Sequence, residues 1–242
     1  MDARTEYLLR LGDDALVLGQ RLGVWCGHGP VLEVDISLAN LALDQIGQAT
    51  LLLGEAGDGD QLAFHRDALD FRNCLLVEQP NGDFAQTIAR HLLYTTWQHL
   101  LLQRLTQSAD QFLREFAAKA VKEVAYHRDL AGDWTIRLGD GTEESARRMT
   151  EGLDWNWRFI PELFEVDEVL QSPIDAGIAP DPREFEDEYR SAVGAVLAQA
   201  QLEAPADHRP ILGGRHGHHS EHLGHLLAEM QFLPRTYPDA VW

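Results

Sequence analysis

Apolar residues recur every three or four positions along most of this chain of 242 residues. That spacing is typical of helices with one apolar face, and no stretch shows the sustained alternation and hairpin turns of strands. Several periodic segments are long, which favours a helical bundle over a compact orthogonal packing. The pattern predicts an all-α protein with helices at about 5–25, 34–55, 83–108, 111–138 and 142–164, one that opens at 181–183, and one at about 220–234.

Local signals mark where several of these helices begin and end. Glycine and proline in Cys26–Pro30 are expected to stop the first helix. Asp83 is the predicted N-cap of the third helix, and Thr142 and Ser145 are both candidate caps of the fifth. Pro182 takes the first helical position of the sixth, where a missing backbone N–H has no cost.

The domain organisation follows from this order of helices. The stretch between about 57 and 82 contains turn residues and is predicted as a loop. We expect the whole chain, 1–242, to form a single helical domain. Its core bundle covers about 5–138, and accessory helices cover about 142–234.

Composition narrows the class of protein. Hydrophobic residues make up 45% of the chain, enough for a substantial core. The net charge of −19 argues against nucleic acid and anionic membranes as partners, and fits either plain solubility or a basic partner surface. The start of the chain lacks the features of a signal peptide, and no apolar run is long enough to span a membrane. Two cysteines give no disulfide framework, so we expect a cytoplasmic protein.

Two segments have the spacing of a di-iron carboxylate site without its ligands. Each half of such a site in a four-helix protein takes a Glu-x-x-His from one helix and a carboxylate from another. Here one segment reads Gln45-x-x-Gln48 and the other Val124-x-x-His127. Neutral amides neither hold iron firmly nor balance its charge. The sequence therefore predicts a helical frame that has lost its metal.

Helical geometry supports this interpretation. Gln45 and Gln48 fall on the apolar face of the second helix, whereas Asp44 points away from it. His127 falls within an apolar stripe, where the simplest explanation is a core histidine, paired with Glu123 one turn before. The third helix offers His91, with Tyr94 and Gln98 on the same side, and contains no acidic residue between 84 and 109. On the first helix, Gln20 occupies a position where a carboxylate is expected.

The chain resembles a known family at these positions and in several longer runs. It is similar to the C subunits of ring-1,2-phenylacetyl-CoA epoxidases, which are multicomponent bacterial monooxygenases. The resemblance covers nearly the whole length, and the run Leu-Val-Glu-Gln-Pro-Asn-Gly is specific. The matching stretches are 9–13, 20–23, 25–28, 43–49, 75–82, 118–123 and 221–224.

The resemblance implies a ferritin-like four-helix bundle with additional C-terminal helices. It implies a non-catalytic structural subunit in aerobic phenylacetate degradation, beside a homologous A subunit that carries the di-iron centre. Further small subunits would belong to the complex, and a reductase with FAD and iron–sulfur would bring electrons from NADPH for epoxidation of phenylacetyl-CoA with O₂. The A subunit's Lys-Glu-Glu-x-x-His becomes Lys122-Glu123-Val124-x-x-His127 here, so Val124 replaces a ligand. No catalytic residue, metal or other cofactor is expected in this chain, and its vestigial di-iron positions are Gln20, Gln45, Gln48, His91, Val124 and His127.

The resemblance also implies contact with the CoA end of the substrate. The candidate residues are Glu33, just before the second helix, and the loop Asp70-Phe71-Arg72-Asn73. An arginine suits a phosphate, and an aromatic ring can stack on a base. A packed surface loop with no ligand is the alternative explanation.

A histidine-rich tract supports a different hypothesis. It contains His216, His218, His219, His222 and His225. A helix would bring His218, His222 and His225 to one face, as in a zinc or nickel site. A solvated helix start, capped by Ser220, explains the same residues. Two alternatives to the structural subunit therefore stay open: an oxygenase that binds its own di-iron centre, and a metal-binding protein that uses this tract.

Overall fold

The computed structural model describes residues 2–206, 208–238 and 240, and in this part of the chain every regular element is a helix. The prediction of an all-α, ferritin-like protein is confirmed at the level of its elements. None of the described helices combines the length and apolar character that a membrane span needs. The α-helices are α1 (Ala3–Gly23), α2 (Leu32–Ala56), α3 (Gly59–Phe64), α4 (Leu75–Glu78), α5 (Phe84–Leu105), α6 (Gln111–Gly139), α7 (Glu143–Trp157), α8 (Glu168–Asp175), α9 (Glu186–Gln199), α10 (Glu221–Met230) and α11 (Phe232–Thr236).

The chain divides into two compact units. The terminal unit combines 1–80 with 212–242, and the middle unit comprises 81–211. Helices α1 to α4, α10 and α11 belong to the first, and α5 to α9 to the second. The accessory helices are thus shared between the units, and the single-domain hypothesis stays a prediction.

In the terminal unit, α1 and α2 pack against each other along their length. Gly12 lies against Leu53 and Gly19 against Ile46, so the two helices run antiparallel. A side chain at either glycine would collide with α2, because its Cβ would approach these neighbours within about 3 Å of their atoms. The two glycines therefore allow a close helix–helix approach.

In the middle unit, α5 and α6 form a second antiparallel pair. The Phe84 ring meets Trp134 edge to face with 5.2 Å between centroids. Further along, Arg128 of α6 lies 3.1 Å from the Nδ1 atom of His99 on α5. Helix α7 packs mainly against α5, where Gly152 allows the backbone around Gln86 to come close.

The predicted boundaries agree well with the long helices. Asp83 caps α5 by accepting a hydrogen bond from the backbone N–H of Gln86. Of the two candidate caps of α7, Thr142 is the N-cap, and Ser145 completes a reciprocal capping box with it. Pro182 does begin a helical turn, but this turn is a 3₁₀ segment, Pro182–Phe185, ahead of α9.

The short elements are where the predictions are wrong. The predicted loop at 57–82 contains α3, α4 and a 3₁₀ turn at Ala68–Asp70. The fifth predicted helix ends at Trp157 and is followed by the separate 3₁₀ segment Ile160–Phe164. Helix α8 had no prediction at all. The seventh predicted helix is divided at Gln231 into α10 and α11.

Candidate functional site

The two inward amides predicted on α2 are buried. Gln45 and Gln48 are both enclosed, together with the apolar residues of the same face. Asp44 is partly exposed on the other side of the helix. Gln20 on α1 is also partly exposed, at the edge of the terminal unit's core. The helix therefore presents amides, and no carboxylate, on its buried face.

The middle unit holds a pair of buried histidines. His91 of α5 and His127 of α6 are both fully buried, with ring centroids 5.4 Å apart. Val124, one turn before His127, is fully buried as well. Neither ring nitrogen of His91 has a hydrogen-bond partner among the described residues. Both histidines are among the positions that the sequence assigned to a vestigial di-iron site, and that assignment stays a prediction.

Electrostatics keep His91 neutral. Burial lowers the pKa of His91 well below its usual range, and the neighbouring His127 and Arg90 lower it further. The guanidinium of Arg90 is itself buried and donates to the Oδ1 atom of Asn81 at 2.7 Å. A neutral imidazole is able to bind a metal ion, but two imidazoles without carboxylates do not balance the charge of two irons.

The residues present do not fit a di-iron centre. Glu123, the acid next to Val124, lies 3.5 Å from Lys119 in a partly exposed pair. Across residues 2–206, 208–238 and 240, no three His, Cys, Asp or Glu side chains come together as a set able to hold a metal ion. No reaction step through bound iron is therefore assigned to this chain.

The buried carboxylates of the terminal unit are used for structure instead. Asp13, Asp14 and Glu78 are all fully buried, and each one meets a cation or histidine. Asp13 forms a salt bridge with Arg66, and burial nevertheless raises the pKa of Asp13 above its usual value. Asp14 binds Arg215 through two contacts of 2.9 and 2.7 Å.

Glu78 contacts three different residues through its carboxylate. It accepts from the backbone N–H of Ser220 at 2.6 Å and from Asn73 at 2.9 Å. Its Oε2 atom lies 2.7 Å from Nδ1 of His219, whose Nε2 is 3.0 Å from the carbonyl of Phe71. Sequence reasoning missed this network. Its only local signal was the placement of acids within apolar runs, as in Leu75-Leu76-Val77-Glu78.

The predicted CoA-contact residues fall into two groups. Glu33 and Asp70 are exposed, and Arg72 is partly exposed. The expectation of a surface loop is wrong for Phe71 and Asn73, which are fully buried because the loop packs into the terminal unit.

The bonding of the loop explains this burial. Arg66 lies over the Phe71 ring at 4.3 Å from its centroid, and Asn73 is bonded to Glu78. Arg72 binds Glu6 at 3.0 Å and two carbonyls of its own loop. Substrate contact by the predicted residues stays a prediction.

The histidine tract does not form the predicted helical face. His218 precedes α10, so it does not share a helix with His222 and His225. His219 is buried against Glu78, whereas His216, His218 and His225 are exposed. The tract therefore acts largely as the connection that joins the C-terminal segment to the rest of the terminal unit.

Comparison with known proteins extends over the entire chain. A family model described as Phenylacetic acid catabolic protein matches residues 1–242. A curated protein from Escherichia coli (strain K12), the C subunit of 1,2-phenylacetyl-CoA epoxidase, is 46% identical over 248 residues. That match covers 100% of both chains.

Proposed function

Because this chain belongs to the phenylacetic acid catabolic protein family, we propose that it is the non-catalytic subunit of a phenylacetyl-CoA epoxidase. Its full-length similarity to a protein named as the C subunit of that enzyme supports this role. In this proposal the chain is part of a monooxygenase complex and does no redox chemistry of its own. The di-iron centre belongs to a homologous catalytic subunit.

The observation that carries the proposal is the chemistry of the two vestigial half-sites. Gln45 and Gln48 bring buried amides to one, and Val124 with His127 brings one imidazole and one aliphatic side chain to the other. Iron that activates O₂ in helical proteins is held by carboxylates and histidines together. The helices that commonly bear these ligands are present here, but the ligands are missing.

The proposal assigns the remaining chemistry to other chains. The catalytic subunit binds iron, and a reductase with FAD and iron–sulfur passes electrons from NADPH. Phenylacetyl-CoA binds at the catalytic subunit, with Glu33, Asp70 and Arg72 of this chain as candidates for contact with its CoA end. Cys26 and Cys74 form no disulfide, which is typical of a reducing compartment, so we place the complex in the cytoplasm.

Iron counting combined with turnover tests the proposal. The isolated chain is expected to contain no stoichiometric iron and to leave phenylacetyl-CoA unchanged in the presence of reductant and O₂. Co-expression with the catalytic family member of the same genome is expected to give a complex with about two irons per pair of subunits. Adding the reductase should then give product.

Two results would contradict the proposal. The first is an isolated chain that carries stoichiometric iron and oxidises phenylacetyl-CoA with reductant alone. The second is a chain that fails to co-purify with the catalytic family member when each is shown to be folded. A matched control is the catalytic subunit alone, which has the iron ligands but lacks the proposed support.

A further inference from the structure

One face of α2 carries large exposed apolar residues along the first half of the helix, and glycines with Thr50 along the second half. Its largest residues are Leu32, Ile36 and Leu43, whose exposed fractions are 71%, 52% and 67%. Gly47 and Gly54 continue the same face toward the end of the helix. At about 100° per residue, the five positions fall within an arc of roughly 60°, opposite the buried stripe that contains Gln45. We refer to these five residues as the outer face of α2.

Single exposed leucines are ordinary, but three large exposed apolar residues on one face of one helix form a patch. By contrast, α9, also on the surface, shows no large exposed apolar residue among the described ones. The five positions run from Leu32 to Gly54, which corresponds to about 33 Å along the helix. A face of this length, with large apolar residues in its first half and glycines in its second, is able to receive another helix.

The glycines of α1 and α2 support the same conclusion. Gly12 and Gly19 of α1 are seven residues apart and receive Leu53 and Ile46 of α2 in close contact. Gly47 and Gly54 of α2 have the same spacing, yet a Cβ at either would meet nothing within 4 Å. Glycine within a helix costs stability relative to alanine, and no neighbour among the described residues requires it there.

Charge defines one edge of the outer face. Glu33, Asp44 and Glu55 are spaced eleven residues apart, which places all three along the same flank. Glu33 and Glu55 are exposed, Asp44 is partly exposed, and Glu55 also binds Arg4 at 2.7 Å. A partner helix with lysine or arginine along one side complements this row.

A second copy of this chain is a poor occupant of the outer face. Each chain carries a net charge of −19, which opposes self-association. In an antiparallel pairing around a twofold axis, the two rows of carboxylates would lie on the same side and repel each other. A different chain with a basic edge meets neither obstacle.

We propose that the outer face of α2 is the docking site for an α-helix of the catalytic subunit, and this rests on the proposed function. That helix lays small and apolar residues against Leu32, Ile36 and Leu43 and crosses closely at Gly47 and Gly54. Its basic side faces the row of carboxylates. A stable interface buries about 800 Å² on each partner, so the outer face forms the centre of a larger contact.

Substitution at the glycines tests this without disturbing the fold. Gly47→Gln introduces a side chain into open space, and glutamine is a better helix former than glycine, so the isolated variant should remain as stable as the wild type. Gly194→Gln in α9 is the matched control, because Gly194 is an exposed helical glycine with equally open surroundings. Thermal melts of the isolated chains verify the fold of both variants.

Binding to the co-expressed catalytic subunit gives the decisive measurement. Gly47→Gln is expected to weaken binding by roughly tenfold or more, and Gly47→Gln with Gly54→Gln further, while Gly194→Gln binds like the wild type. Wild-type affinity in the Gly47 variants would overturn the docking site and leave the proposed function standing. A wild-type chain that binds no catalytic subunit would overturn both. A wild-type dimer that Gly47→Gln disrupts would assign the face to self-association and also overturn the proposal.

Discussion

At the residue scale, the two histidines His91 and His219 are both buried but differ in their polar surroundings. Neither ring nitrogen of His91 has a hydrogen-bond partner among the described residues, and its nearest ring neighbour is another histidine, His127. His219 is buried too, but both of its nitrogens meet oxygens, on Glu78 and Phe71. The difference matters because a buried imidazole without a hydrogen-bond partner resists protonation.

The neutral state of His91 predicts a dependence of stability on pH. Its pKa in the folded chain lies below the value of the unfolded chain, so the unfolded chain binds more protons once the pH falls below about 6.5. The stability contributed by neutral His91 is fully present above that pH. It is lost as the pH falls toward the folded-state pKa, by up to about 1.4 kcal/mol per pH unit.

We therefore expect the free energy of unfolding to decline more steeply below about pH 6.5 in the wild type than in His91→Leu. Urea unfolding at several pH values measures both slopes, and their difference cancels contributions from other groups. Asp13 is one such group. Because its pKa is raised in the folded chain, its contribution to stability increases as the pH falls, which is opposite to the effect of His91. His28→Leu, at an exposed position, controls for the loss of an imidazole at the surface. Parallel curves for the wild type and His91→Leu would contradict the prediction.

At the element scale, the sequence predicts those features of the helices that depend on residues close together in the chain. The long helices follow from their apolar period, and their starts follow from caps such as Asp83 and Thr142, which bond to residues only three positions away. The short helices α3 and α4 escape prediction because one or two turns carry too little periodicity to be distinguished from a loop. They exist because the neighbouring helices hold them in place.

The burial of the candidate site residues is also predictable from the sequence only where it depends on local pattern. Burial of Gln45, Gln48 and His127 is predictable, because each lies within the apolar period of its own helix. Burial of Phe71 and Asn73 is not, because it depends on Arg66, on Glu78 and on His219 of the C-terminal segment. Partners separated by 201 positions, as Arg215 and Asp14 are, leave no trace in local sequence.

The pair of Arg215 and Asp14 is expected to anchor the C-terminal segment. Arg215 binds buried Asp14 and also donates to the carbonyls of Arg10 and Arg72. Arg215→Met leaves the Asp14 carboxylate without its cation in a buried position, which typically costs about 3–5 kcal/mol. We expect a reduction of this order in the free energy of unfolding, measured by urea denaturation at neutral pH.

Arg235→Met is the matched control in the same segment. Arg235 binds Asp67 at 3.1 Å, but both side chains are largely accessible to water. Loss of an exposed pair usually costs no more than about 1 kcal/mol. If the two variants lost equal stability, the buried pair would not be the main anchor of the segment.

At the scale of the whole molecule, the proposed function relates the acidic composition to the amides and the valine at the two predicted half-sites. In that proposal the subunit is retained for its contacts, and a net charge of −19 attracts a basic surface from a distance. The carboxylates on the flank of α2 then orient the incoming partner, while the apolar outer face holds it. Long-range charge should therefore influence the rate of association more than the final affinity.

Salt and charge variants separate these contributions. We expect the association rate of this chain with the catalytic subunit to fall by roughly tenfold when ionic strength rises from about 0.05 to 0.5 M, because salt screens long-range attraction.

Glu33→Gln combined with Asp44→Asn should lower the rate at low salt and reduce its salt dependence. The same number of charges removed from α9, with Asp187→Asn and Glu188→Gln, should have a smaller effect, because steering depends most on charges at the contact. Stopped-flow or surface-based kinetics measure these rates, and equal effects from the two double variants would mean that α2 does not face the partner.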